Sequence, residues 1–266
     1  MSLFLFSYIN LGDSMNNVLF AFICSTLAGL STLLGGIIIF FNKKENQKII
    51  ATALAFAAGV MITVSITDLI PESFHLLSEY FYVFPTFIIL AIFVVIGIIF
   101  SMLIDYYLPE QQEGKLYRIG IVSMLAIIAH NIPEGIATFL STTSNTNLGI
   151  TLSLAIALHN IPEGISISVP IYYATKSRGR ALKYTFISGI SELFGAIIAF
   201  IFLKDIMNNF IMGCLLASIA GIMMHIASYE LLPTSLRYKY KKITLIFFIL
   251  GSIIMIINHM LFLFLS

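Results

Sequence analysis

Charge is what this sequence has least of. Only 10% of its 266 residues are Asp, Glu, Lys or Arg, while 59% are hydrophobic and mean hydropathy is +1.00. Soluble domains carry roughly 25% charged residues, and so few charges cannot cover a water-exposed surface. The net charge of +1 leaves no basic field of the kind a nucleic-acid partner requires. Cysteine is nearly absent too. Cys24 and Cys214 lie in apolar segments, form neither a CxxC pair nor a disulfide framework, and read as small core residues. There is no GxxxxGK[ST] phosphate loop, which argues against ATP-driven pumping. Residues 1–9 are apolar but lack a basic leading region and a small-x-small cleavage site, so no cleavable signal peptide is expected. Two readings of the segment before Met15 stay open: Met15 as an alternative start, or a segment lying on the membrane surface.

What is abundant is long hydrophobic runs. A hydrocarbon core of about 30 Å needs about 20 mainly apolar residues per helix. Eight segments qualify, at approximately 17–41, 50–71, 84–108, 119–142, 147–173, 181–203, 207–232 and 243–265. The few basic residues are not scattered among the connections. Lys43, Lys44 and Lys48 follow the first span, and Lys115 and Arg118 the third. Lys176, Arg178, Arg180 and Lys183 follow the fifth; Arg237, Lys239, Lys241 and Lys242 follow the seventh. Of the 14 Lys and Arg, only Lys204 falls on the other side. The positive-inside rule makes those four loops cytoplasmic and puts both termini outside. The expected fold is an all-α polytopic protein of the cell (inner) membrane, with the lipid bilayer as its surroundings.

Within this oil the hexapeptide HNIPEG occurs twice, at His130–Gly135 and His159–Gly164. The flanks match as well: AIIAHNIPEGIATF (126–139) aligns with AIALHNIPEGISIS (155–168). Ionisable groups inside a membrane are functional by default. On a helix His130 and Glu134 are i and i+4, and Asn131 and Glu134 are i and i+3, so all three share a face. His159, Asn160 and Glu163 repeat the pattern. Pro133 frees the carbonyl of Ala129 and Pro162 that of Leu158, bending each helix and loosening its ladder. The fourth and fifth spans are antiparallel and closely connected, so the two faces can meet. Two imidazoles and two carboxylates then make a nitrogen–oxygen set suited to Zn²⁺ or another first-row divalent ion. The carboxamides offer a second, harder or more hydrated position. Glu192 in the sixth span adds a third carboxylate, enough to balance more than one divalent ion, with Glu134 and Glu163 bridging.

A wider repeat surrounds this pair. LAGLSTLLGG (27–36) aligns with ISGISELFGA (187–196), which sets Thr32 opposite Glu192, and SITDLIPES (65–73) aligns with ASYELLPTS (227–235). The first three spans thus read as duplicated in the last three with inverted topology, a 3+2+3 inverted-repeat arrangement typical of secondary transporters. Towards the span ends, Asp68 and Glu72, with His75 just beyond, read as an entrance funnel, and His225 and Glu230 as an exit relay. His259 reads as a packed or interfacial histidine, and Met61, Met223 and Met224 as core fillers.

At both HNIPEG copies the sequence resembles the ZIP family of divalent-metal transporters, and LHNIPEGISISVPIYYATKSRGRA (158–181) is similar to its bacterial ZupT-type branch. The resemblance covers nearly the whole chain. It implies import of metal into the cytoplasm by a transport domain moving against a scaffold. One metal position would use His130, Glu134, His159 and Glu163; the second would use Asn131, Asn160 and Glu192 and share Glu134 and Glu163. It also implies broad selectivity, over zinc, iron, manganese and cobalt with cadmium as a further candidate. The cytoplasmic loops here lack the histidine-rich tract of eukaryotic members, so no metal-sensing loop is expected. The metal is cargo, and no cofactor is expected. Ligands must be deprotonated, so transport should fall on acidification. The other readings are a metal-gated channel or sensor, and an intramembrane metalloprotease. The protease needs HExxH with Glu as general base, whereas Asn131 and Asn160 occupy that place. Assembly is open, a homodimer being one form.

Overall fold

The computed structural model of the chain describes residues 15–40, 46–107, 114–202 and 208–265. The segment before Met15 and the side-assigning Lys43, Lys44 and Lys204 lie outside the described residues. Among the described residues every regular element is helical, and eight helices are long and apolar enough to cross a membrane. They are α1 Met15–Gly36, closed by a tighter 3₁₀ turn at Ile37–Phe40, α2 Gln47–Ser78, α3 Val83–Tyr107 and α4 Gly114–Ser144. The remainder are α5 Thr146–Thr175, α6 Arg178–Phe202, α7 Asn209–Leu236 and α8 Lys241–Leu265. An all-α polytopic membrane protein is therefore what the chain is.

Two helices start on side-chain caps. Asn46 accepts from the Lys48 N–H at 3.0 Å, and Asn208 from the Ile211 N–H at 2.9 Å. α2 and α7 run beyond the ends that the sequence suggests, passing Pro71 and Pro233 without stopping. A proline ring inside a helix collides with the carbonyl four residues back and offers no N–H. Here the ladder widens just before each proline instead. The Ile70 N–H bonds to the Ser65 carbonyl and the Leu232 N–H to the Ala227 carbonyl, five residues back rather than four. α4 and α5, by contrast, continue as α-helices through Pro133, Pro162 and Pro170.

The helices sort into two groups. α1, α4, α5 and α6 pack chiefly on one another, while α2 lies along α8 and α3 along α7. Glycines set the closest approaches within the first group. A Cβ on Gly135 would collide with the carbonyl oxygen of Glu192, and one on Gly195 with that of Ile132. On the other side of the group, Gly164 meets the Thr32 carbonyl and Gly35 that of Ile161. Small residues at such crossings let helix backbones touch where no hydrophobic effect drives association. α3 and α8 turn most of their apolar side chains outward, as a lipid-facing helix does.

Candidate metal site

One residue, Asn145, connects α4 to α5, which folds the two HNIPEG copies face to face. The unbroken i,i+4 geometry brings His130 Nε2 to 2.9 Å from its own Glu134 Oε1. That same carboxylate oxygen takes a hydrogen bond from His159 Nε2, also at 2.9 Å. Glu163 Oε1 lies 3.7 Å from His130 Nε2. The ligand atoms of His130, Glu134 and His159 all fall within 4.8 Å of one another. Three of the expected ligands therefore converge at one point, with Glu163 beside His130.

The carboxamides are held by backbone. Asn160 donates to the Ala28 carbonyl on α1 at 3.0 Å and to Glu192 Oε2 on α6 at 3.1 Å. Asn131 donates to the Ser188 carbonyl on α6 at 3.2 Å, one helical turn before Glu192. Each Nδ2 is thereby committed, and each Oδ1 is left over. The oxygens Asn131 Oδ1, Asn160 Oδ1, Glu134 Oε2, Glu192 Oε1 and both of Glu163 are buried with no hydrogen-bond partner among the described residues. Glu163 and Glu192 are fully buried, and among the described residues no lysine or arginine pairs with them. Buried acceptors and charges of this kind are costly unless something cationic satisfies them. Their chemistry, imidazole nitrogen with carboxylate and carboxamide oxygen, matches what first-row divalent ions take.

The outlying residues have other partners. Asp68, in the widened turn of α2, accepts a hydrogen bond from Nδ1 of His259 on α8. His259, expected as a packed or interfacial histidine, has a carboxylate partner that the sequence signals only through the polar Asn258–His259 pair. Glu72 lies one helical turn beyond Asp68, near His75 and Glu79, and Asn209 on α7 donates to Glu79 at 2.5 Å. His225 Nδ1 is 3.0 Å from Ser101 Oγ on α3 and its ring stacks on Tyr229, with centroids 5.0 Å apart. Glu230 is buried in the widened turn of α7. Cys24 and Cys214 are free and buried, and Met61 and Met223 are core residues.

The family model of the ZIP zinc transporters matches residues 108–259, a stretch that contains both HNIPEG copies and Glu192. Along nearly its full length the chain is similar to bacterial zinc transporters of the ZupT type. It is 41% identical to the one from Clostridium perfringens, over 94% of this chain and 99% of the relative. It is 40% identical to that of Chlorobaculum parvum (93% and 99% covered) and 39% to that of Streptococcus mutans (91% and 97%).

Proposed function

The chain belongs to the ZIP family of zinc transporters, and on that premise we propose that it imports divalent transition-metal ions through the α4–α5 site. One observation carries the reading: the ligand atoms of His130, Glu134 and His159 within 4.8 Å of one another, beside buried carboxylate oxygens that have no partner among the described residues. Zinc takes nitrogen and oxygen donors in a four-coordinate shell, and His130, Glu134, His159 and Glu163 supply that number. A second ion would take Asn131, Asn160 and Glu192, sharing Glu134 and Glu163. Its oxygen-rich shell suits harder or more hydrated ions, which supports transport of Fe²⁺, Mn²⁺ and Co²⁺, and of Cd²⁺, beside Zn²⁺.

An incoming ion exchanges water for these ligands and is released when the site opens to the other side. The packing supports a division of labour in which α1, α4, α5 and α6 carry the site and move against α2, α3, α7 and α8. α4 and α5 move with α1 and α6 because the glycine crossings clamp all four together. The inverted 3+2+3 repeat is supported by matching crossings: Gly164 on Thr32 corresponds to Gly135 on Glu192, and Gly35 on Ile161 to Gly195 on Ile132. The clustering of basic loops favours termini outside the cell membrane, which makes Asp68 and Glu72 the approach and His225 and Glu230 the way out. On this reading Asp68, bonded to His259, hands the ion inward.

Zinc-65 uptake into proteoliposomes tests this. Glu163→Ala should abolish uptake while still inserting into the membrane. Uptake at the parent rate overturns the site assignment.

A further inference from the structure

A crevice of about 250 Å³ lies behind the metal site, in the seam where α8 meets α1 and α5. Its wall on α5 is formed by Thr151, Leu154, Ala155, Ala157, Leu158 and Ile161. Leu34 of α1 and Leu261 of α8 face it. Its polar lining is occupied elsewhere. Ser31 Oγ donates to the Ala157 carbonyl at 2.9 Å, Thr151 Oγ1 to that of Asn147 at 3.0 Å, and Asn258 Nδ2 to that of Ala155 at 3.1 Å. Among the described residues only Asn258 Oδ1 is left unbonded at this crevice, and it is buried. Leu34, Leu154, Leu158 and Leu261 are all exposed at the outer surface of a membrane-spanning bundle.

We propose that this crevice binds one acyl chain of a bilayer lipid, held between α8 and the α1–α5 pair. Protein interiors tolerate few voids larger than a water molecule, because atoms lining one lose their dispersion contacts. Water has almost no partner here, and an apolar cavity stays dry. At this depth the molecule that reaches an apolar, sideways-facing crevice is a lipid tail. Its recognition is by shape and apolar contact, so chain length and unsaturation are what the site reads. The chain braces α5 from the side away from His159 and Glu163, at the seam between the two helix groups. No metal is needed for it to bind.

The chain contains no tryptophan, so one introduced indole is a silent-background probe. Leu158→Trp in the crevice and Ile246→Trp on the outward face of α8 are each reconstituted in phosphatidylcholine with brominated acyl chains, then transferred to detergent with unlabelled lipid. Both indoles are quenched in the brominated bilayer. After transfer Leu158→Trp keeps most of its quenching, whereas Ile246→Trp recovers with the bulk lipid. Adding Ala157→Phe, which fills the crevice, releases the retained quenching. Equal recovery at the two positions overturns the proposal, as does retained quenching in the filled crevice. Should the filled variant not fold, the comparison of the two single indoles still decides. The readout involves neither metal nor uptake, so it stands or falls apart from the transport reading.

Discussion

The two HNIPEG copies are identical in sequence, yet they do not play the same part. In α4 the glutamate is the hub, with Glu134 Oε1 2.9 Å from both imidazoles. In α5 the glutamate is fully buried, and its Oε1 stands 3.7 Å from His130 Nε2. The asparagines differ likewise. Among the described residues Asn131 is tied only to a carbonyl of α6, while Asn160 is tied to a carbonyl of α1 and also to Glu192. The two carbonyls, of Ser188 and Ala28, are equivalent in the wider repeat, so the anchoring is common to both copies. What breaks the likeness is one pair of positions, Thr32 on α1 against Glu192 on α6. Local sequence places a ligand on a helix face, and the neighbouring helix decides what that ligand does.

That contrast can be broken experimentally. The largest effect is expected from Glu134→Gln and Glu163→Gln. Each should lower zinc uptake in proteoliposomes by at least about a hundredfold, above the tenfold to hundredfold losses seen for groups that merely orient a ligand. If Glu163→Gln transports normally while Glu134→Gln does not, the copies do not share one ion. Next comes Glu192→Thr, which gives α6 the residue found on α1. Metal bound per chain, counted by elemental analysis after equilibrium dialysis, should fall from two ions to one. An unchanged count removes Glu192 from the site.

Smaller differences separate the asparagines. Asn160→Ala should weaken the apparent affinity about tenfold and Asn131→Ala only a few-fold, since only Asn160 also orients a carboxylate; equal losses would mean that the Glu192 contact is idle. Acidification acts on both copies together. Protons compete with metal for the same ligands. Uptake at low metal concentration should therefore fall as the pH is lowered and be restored by excess zinc. The smallest effect is expected outside the pair. Asp68→Asn or His259→Ala should change the concentration for half-maximal uptake about twofold to threefold, in line with a single weakened charge contact, and leave the maximal rate alone. A lost maximal rate would place that pair in the transport step itself.

The eight spans were legible in the sequence because hydropathy over about 20 residues is a one-dimensional property. The doubled HNIPEG was legible for a related reason: its polar groups have no cheap place in lipid. The ends of α2 and α7 were not, since a proline ordinarily reads as a stop and nothing local announces the widened turns that carry Ser65–Leu69 and Ile226–Leu231 past it. The Asp68–His259 contact joins residues 191 apart in the chain, on different helices, with no spacing rule to reveal it. The carboxamide anchors escaped for a different reason. Their partners are backbone carbonyls of Ala28 and Ser188, and a carbonyl has the same identity at every residue.

The account's central claim is that one ion is held by both copies of the motif at once. X-ray absorption at the zinc edge of the metal-loaded protein tests this most directly. It should show a first shell of nitrogen and oxygen at about 2.0–2.1 Å, with the imidazole contribution of wild type halved in His159→Ala. A sulfur shell, or a spectrum unchanged by His159→Ala, would contradict it.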